Sequence, residues 1–178
     1  VGLGVMGLHS YFQKNMIPFE SVMSKVWNNK IFKNIKEKVD NASKILAEEK
    51  GPCPDAIEYG FNERFSNKTA IAPTASISII CGGASPGVEP IAANSYTHKT
   101  LSGSYNVRNK YLEKILEKYK KNNEEIWSSI TTNQGSVSHL DFLTDLEKDV
   151  FKTAFELDQK WIVELGADRT PYILSLIH

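Results

Sequence analysis

The stretch from Ser21 to Lys50 constrains the chain most. Trp27, Ile31, Ile35, Val39, Ala42, Ile45 and Leu46 fall on one arc at about 100° per residue, and Lys30, Lys33, Lys36, Glu37 and Lys44 fall outside it. A pattern held over so many turns specifies an amphipathic helix, and most of such a helix's stability comes from burying its apolar stripe. Gly51-Pro52 sets the end, because glycine takes the left-handed cap and proline cannot continue the helix.

Shorter helices are expected on either side. Val5, Leu8, His9 and Phe12 have helical spacing within Leu3 to Asn15, which Pro18 closes. Tyr111, Leu112, Ile115, Leu116 and Tyr119 predict a helix over Asn109 to Lys121, and Asn123 to Thr132 suits another. Thr144-Asp145-Leu146-Glu147 is a Thr-x-x-Glu capping box. From it Leu146, Val150, Ala154, Leu157, Trp161 and Leu165 trace a stripe that predicts one helix, with Asp158 inside the arc and Gly166 as C-cap. Between these regions the character differs. Residues 51–68 read as a loop with turn chemistry at Pro54-Asp55 and Tyr59-Gly60. Thr69-Ala70-Ile71-Ala72 suits a short buried strand ending at Pro73, although periodicity alone leaves helix open. Cys81 to Gly87 is a flexible bend, followed by Val88-Glu89-Pro90 and a polar stretch to Gly103. No internal repeat or low-complexity tract is present.

Length and composition exclude several classes. With 178 residues, 41% hydrophobic and 10% aromatic, the chain suits about one domain with a buried core rather than wholesale disorder. Lys+Arg and Asp+Glu both number 21. That balance speaks against nucleic acid as the main partner, since such surfaces carry a basic excess. No apolar run approaches the roughly 20 residues that cross a bilayer, so no membrane association is expected. Two cysteines cannot build a disulfide framework, which favours a reducing compartment. The chain opens on Val1 without a secretory signal and stops in an apolar stretch at Ser175-Leu176-Ile177-His178. Both edges suggest a piece of a longer polypeptide.

Two motifs invite a nucleotide reading. Gly2-x-Gly4-x-x-Gly7 matches the dinucleotide fingerprint, but no strand precedes it and none leads to Glu20, so small residues at a close helix contact are the plainer account. The stretch Ile71 to Gly83 carries more. A strand ending in Pro73 and turning at Thr74-Ala75-Ser76 into a helix would leave unpaired amides and a dipole facing an anion. Ala75 and Ser76 are small enough for phosphate to approach, and Thr74, Ser76 and Ser78 add hydroxyls. No Gly-Lys-Ser/Thr ending is present, so this is no Walker loop. On physics alone an ordinary capped helix start is the plainer reading. Cys81 reads as a buried small hydrophobe rather than a reactive thiol, and Cys53 as a loop residue. No spacing suits structural zinc. His9, His98, His139 and His178 read as surface or core residues, Asp158 as a solvated position at the stripe's edge, and Lys118-Tyr119-Lys120-Lys121 as a solvated helix end.

Ala72-Pro73-Thr74-Ala75-Ser76-Ile77-Ser78, continuing through Cys81-Gly82-Gly83-Ala84-Ser85-Pro86-Gly87-Val88-Glu89-Pro90, resembles the large (alpha) subunit of class I ribonucleotide reductase of the ribonucleoside-diphosphate type. Val1 to Phe12, Tyr96 to Gly103, and Leu140-Asp141-Phe142-Leu143-Thr144 through Asp168 to Ile173 resemble it too, closest to bacterial or phage versions. The resemblance implies an α/β fold, a helix-rich portion of a ten-stranded α/β barrel, with residues 1–178 a partial catalytic barrel domain. It implies reduction of ribonucleoside diphosphates by radical chemistry for DNA precursor synthesis. It places the substrate diphosphate at Pro73, Thr74, Ala75, Ser76 and Ile77, which reverses the preference for a plain cap. It implies no cofactor bound directly, but dependence on the metal-radical cofactor of a small (beta) subunit and on thioredoxin or glutaredoxin. The implied partners are that subunit, a second large subunit in a homodimer, and the remainder of the large subunit, in a cytoplasmic setting. The family's radical cysteine, redox cysteines, relay tyrosines and allosteric region fall outside this sequence, so no catalytic residue is expected in it and the isolated chain is expected to be inactive. After Ile173, Leu174-Ser175-Leu176-Ile177-His178 departs from the family pattern. The alternative is a helical interaction module built on 21–50 and 144–165, without a nucleotide site; a weaker rival, the nicotinamide-dependent oxidoreductase, lacks its strand before Gly2.

Overall fold

The computed structural model describes residues 1–100 and 103–173. In chain order the elements are α1 (Leu8–Lys14), α2 (Val22–Lys50), α3 (Pro54–Glu58), α4 (Ala75–Ile80), β1 (Ser95–Thr100), β2 (Gly103–Arg108), α5 (Lys110–Lys118), α6 (Glu124–Thr132), α7 (Asp145–Val150) and α8 (Gln159–Ile173). The chain is helix-rich as expected. The sheet among the described residues is a single two-stranded hairpin, so the ten-stranded barrel is not formed within them. The chain divides into two units. Among the described residues, one holds Val1–Val5, Lys25–Ala72 and residues 162–173; the other holds Met6–Ser24, residues 73–100 and residues 103–161.

In the first unit the long helix forms where the stripe predicts it. Its residues pack on the second half of α8: the Asn28 side-chain amide donates to the Leu165 carbonyl at 3.0 Å, and Arg169 donates to Asn28 Oδ1 at 3.2 Å. The Arg169 guanidinium also lies over the Phe32 ring. Lys68 is buried, and its ammonium meets Asp40 at 2.5 Å and Glu63 at 3.3 Å. Residues 1–5 are not helical. Leu3 instead forms a parallel bridge with Thr69, its amide donating to the Lys68 carbonyl and its carbonyl accepting from Ala70, both at 3.0 Å. A Cβ on Gly2 or Gly4 would come within 2.9 Å of Ala70 atoms, so these glycines serve the close approach of two extended segments. This corrects the helix expected from Leu3 and removes the structural context of the dinucleotide fingerprint. The strand expected at 69–72 reduces to that one bridge. The loop expected at 51–68 contains α3, which Pro54 starts and Asp55 supports in its first turn.

In the second unit α1 begins only at Leu8, because Gly7 adopts a left-handed φ of 82°. Leu112, Leu116, Trp127, Ile130, Val137, Leu140, Leu143, Val150 and Phe151 form the core, contributed by α5, α6, α7 and their connections. Asn109 and Asn123 cap α5 and α6 by accepting from the Tyr111 and Ile126 amides. Helix α5 stops at Lys118, short of the expected Lys121. The Thr144–Glu147 capping box is present. The helix it starts ends at Val150, however, and Leu146 is 51% exposed, so the stripe expected through Leu165 is split between α7 and α8. The break has a local cause. The Thr153 amide and hydroxyl both donate to Glu156 Oε2 at 2.8 Å, a second Thr-x-x-Glu turn that ends one helix before the next begins. Asp158 is exposed and accepts from the Lys160 amide at 2.9 Å, while Gly166 lies inside α8 rather than at its end.

The antiparallel hairpin was not expected from the sequence. Its register pairs Tyr96 with Val107 and His98 with Tyr105. Asn94 anchors its base by donating to the Gly135 and Phe151 carbonyls at 3.0 and 2.7 Å, and Asn109 donates to Asn94 Oδ1 at 2.8 Å and to Gln13 Oε1 at 2.9 Å. Gly135 has to be glycine here, since a Cβ would sit 2.3 Å from that of Ala93.

Candidate functional site

The residues singled out for an anion lie together in the second unit. Pro73 ends the extended run, Thr74 turns the chain with φ 51° and ψ 26°, and α4 follows over Ala75–Ile80. Pro73, Ala75, Ser76 and Ile77 are exposed, and Thr74 is half-buried. An α-helix leaves its first amides without intrahelical partners. Among the described residues those of Ala75, Ser76 and Ile77 make no hydrogen bond, and no side chain caps the helix. Three donors therefore point out of a short turn of small residues.

The hydroxyls divide differently from the sequence expectation. Thr74 Oγ1 accepts from the Gly87 amide at 2.7 Å. Ser78 is buried and donates to the Ala75 carbonyl at 2.7 Å. Ser76 alone of the three stays exposed without a hydrogen bond among the described residues. After α4 the chain turns through Gly82 and Gly83, both at positive φ, and the Lys110 ammonium donates to the Gly82 carbonyl at 2.9 Å. A cleft of about 300 Å³ runs between α4 and the hairpin, with Ala75, Ile79, Pro86, Tyr96, His98 and Val107 among its walls. No local sequence signal marks this wall, because Tyr96, His98 and Val107 come together only through the pairing of the two strands.

The other candidates are dispersed. Cys81 is exposed, which corrects its reading as a buried small hydrophobe, and Cys53 is half-buried as the N-cap of α3. His9 is buried and accepts the Ile91 amide on Nδ1 at 2.9 Å. His139 pairs with Ser129 Oγ at 2.6 Å, half-buried His98 lines the cleft, and His178 lies outside the described residues. Lys118 ends α5 and lies 3.6 Å from Glu147, as a cation at a helix C-terminus should. Among the described residues no group of three His, Cys, Asp or Glu side chains is placed to hold a metal, and no helix is long and apolar enough to cross a membrane.

Comparison with known proteins places this geometry in a family. The model for "ribonucleotide reductase, barrel domain" matches residues 1–64 and 55–176. The chain belongs to the ribonucleotide reductase barrel-domain family. It is 44% identical to the ribonucleoside-diphosphate reductase large subunit of Invertebrate iridescent virus 6, over 97% of this chain and 18% of that protein. It is 30% identical to the large subunit of Danio rerio, over 97% of this chain and 25% of the relative. Among solved structures, the Actinobacillus ureae class Id ribonucleotide reductase alpha subunit superposes with a TM-score of 0.87 at 44% identity, covering 97% of this chain and 31% of the other. The chain thus spans between about a fifth and a third of the length of these relatives.

Proposed function

We propose that this chain forms part of the catalytic barrel of a ribonucleoside-diphosphate reductase large subunit, and that its turn at Pro73, Thr74, Ala75, Ser76 and Ile77 seats the substrate's diphosphate. One observation carries the reading: the exposed, uncapped first turn of α4, with the amides of Ala75, Ser76 and Ile77 unpaired, in a chain of the reductase barrel family. Backbone amides suit this task because they offer fixed dipoles to phosphate oxygens without a side chain that must be ordered first. The exposed Ser76 hydroxyl supplies a fourth donor, and the Lys110 ammonium adds positive charge on the Gly82 side.

The complete reductase would draw its radical from the metal-radical cofactor of a small subunit and its electrons from thioredoxin or glutaredoxin. It would work as a large-subunit homodimer in the cytoplasm, making deoxyribonucleoside diphosphates for DNA synthesis. The part of this chain in that scheme is to bind and orient, since Cys53 and Cys81 match none of the family's reactive cysteines.

Ser76→Asp tests the reading. An anionic side chain in the first turn suits the helix, so the fold should hold. Within a reconstituted large subunit, the substitution should weaken ribonucleoside diphosphate binding by about a hundredfold, the cost of one like charge against a phosphate in a partly screened site. Equilibrium dialysis with a labelled diphosphate measures it. Unchanged binding would favour the helical interaction module instead.

A further inference from the structure

Gln13, near the end of α1, is 2% exposed, yet its Nε2 meets no acceptor among the described residues. Leaving a buried donor unpaired costs the full desolvation of that group. The orientation of this amide is fixed by a chain of neighbours. Asn94 spends its side-chain nitrogen on the Gly135 and Phe151 carbonyls, so its Oδ1 is left to accept from Asn109 at 2.8 Å. Asn109 Oδ1 accepts the Tyr111 amide at 3.0 Å, so its Nδ2 is the atom that meets Gln13. Gln13 must therefore offer Oε1, which accepts from Asn109 at 2.9 Å. Exchanging oxygen and nitrogen at Gln13 would set two N–H donors against each other. The unpaired Nε2 is thus imposed by the network and is not a free choice of rotamer.

Gln13, Asn94 and Asn109 all line the cleft of about 300 Å³ between α4 and the hairpin, and the whole cleft lies within the second unit. That volume falls at the lower end of small-molecule sites, which are mostly apolar with a few polar groups to fix orientation. Ile79, Pro86, Ile91 and Val107 supply apolar wall and Tyr96 an aromatic side chain. The serines on the lining are turned to the backbone: Ser78 donates to the Ala75 carbonyl, and Ser10 and Ser85 accept each other's amides. Charge gives the ligand's character. Among the described residues no acidic side chain lines the cleft, so nothing there calls for a cation. Its arginine, Arg108, is already held by Glu124 at 2.6 Å and lies over the Trp127 ring, so an anion is not called for either.

We propose that this cleft is a binding site for a small neutral ring compound bearing a carbonyl, with the Gln13 side-chain amide donating to the carbonyl oxygen and the apolar walls holding the ring. A carbonyl accepts without donating, which is what an amide nitrogen with two hydrogens and no partner needs. The site does not rest on the diphosphate reading, because the first-turn amides of α4 have no part in the anchor.

The isotope-labelled 178-residue chain tests it by nuclear magnetic resonance, with indanone as the probe and indane as its carbonyl-free counterpart. Indanone should bind saturably and shift the Gln13 side-chain amide resonances. Indane should bind about tenfold more weakly, the scale of one hydrogen bond, and leave those resonances in place. Gln13→Glu keeps an acceptor for Asn109 and removes the donor, so it should erase the preference for the ketone. Ala92 is exposed on the cleft wall, so Ala92→Trp should fill the cleft and abolish binding of both compounds. The Asn94 and Asn109 side-chain resonances report whether the floor is formed in each variant. Should Gln13→Glu lose them, the wild-type comparison and Ala92→Trp decide alone. Equal affinity for the two compounds, or ketone binding that leaves the Gln13 resonances unmoved, would reduce the cleft to an apolar hole and overturn the proposal. Undiminished binding in Ala92→Trp, or a wild-type chain without ordered Asn94 and Asn109 resonances, would overturn it equally.

Discussion

His9 carries the clearest electrostatic signature in the chain. It is wholly buried, its ring meets Phe19 edge-on at 5.3 Å between centroids, and its Nδ1 accepts the Ile91 amide. Burial drives its pKa down from 6.5 to about 3, with the Val150 backbone pulling the other way. The consequence for stability has a definite sign. Between pH 6.5 and about 3 the unfolded chain protonates this ring and the folded chain does not, so acid favours unfolding. The loss reaches about 1.4 kcal/mol per pH unit within that window and is absent above it. The buried carboxylate Glu147 is held below its usual 4.5, so the range from 6.5 down to 5 isolates the histidine. His9→Asn keeps an acceptor for the Ile91 amide and removes the titration. Urea unfolding at about pH 7 and about pH 5 should show the wild type losing stability and the variant holding its own value. Equal slopes in both, or a His9 ring resonance titrating near 6.5, would show that the ring is not held neutral by burial.

At the scale of elements, the α7 capping box concentrates several interactions on one carboxylate. Burial alone would raise the Glu147 pKa, but the Thr144 amide and hydroxyl, the Tyr119 hydroxyl and Lys118 together hold it below the usual range. The resulting stability is present above pH 4.5 and lost as pH falls through the lowered value. Thr144→Ala removes the cap oxygen and one donor. It should cost about 1 kcal/mol in urea unfolding at neutral pH, and Thr144→Ser should recover most of it. A loss-free alanine variant would mean that packing alone sets the start of α7. The sequence made this start legible because both halves of the box lie three residues apart. It made α2 legible because the same stripe repeats over many turns. The break at Thr153 was hidden by chance continuity, since Val150, Ala154, Leu157 and Leu165 keep helical spacing across a turn that Glu156 enforces. The hairpin was hidden for another reason. Much of β2 is exposed, so no apolar alternation marks the strands, and their pairing is not a local property of sequence. The candidate site was half legible: the turn into α4 could be read from Pro73 and the small residues after it. The partner of Thr74 lies 13 residues away at Gly87, and no spacing rule connects them.

At the scale of the molecule, each unit leaves apolar surface uncovered. In the first, Val1, Leu3 and Ile71 are 75%, 52% and 51% exposed around the parallel bridge. Parallel pairing normally occurs inside sheets covered on both faces, and an uncovered edge offers free amides and carbonyls to another strand. In the second, Ile77 and Ile80 are 56% and 83% exposed on α4. Both patches belong to segments matched by the barrel-domain model, and the relatives carry from about three to more than five times this length. The physical expectation is that further large-subunit polypeptide covers these patches and closes the sheet. The 178-residue chain by itself should therefore bind a hydrophobic dye, melt broadly, exchange the amides of residues 2–5 and 68–71 quickly, and turn over no ribonucleoside diphosphate. Addition of the remaining large-subunit sequence from a relative should displace the dye and protect those amides. Turnover should follow only when the small subunit and a thiol reductant are also supplied. A lysine at Leu3 places a charge where a neighbouring strand would pack, so Leu3→Lys should block this assembly while changing little in the isolated chain, where the position is already half exposed. Protection of residues 2–5 without any added polypeptide, a sharp cooperative melt free of dye binding, or turnover by the chain alone would each show that these patches need no covering partner.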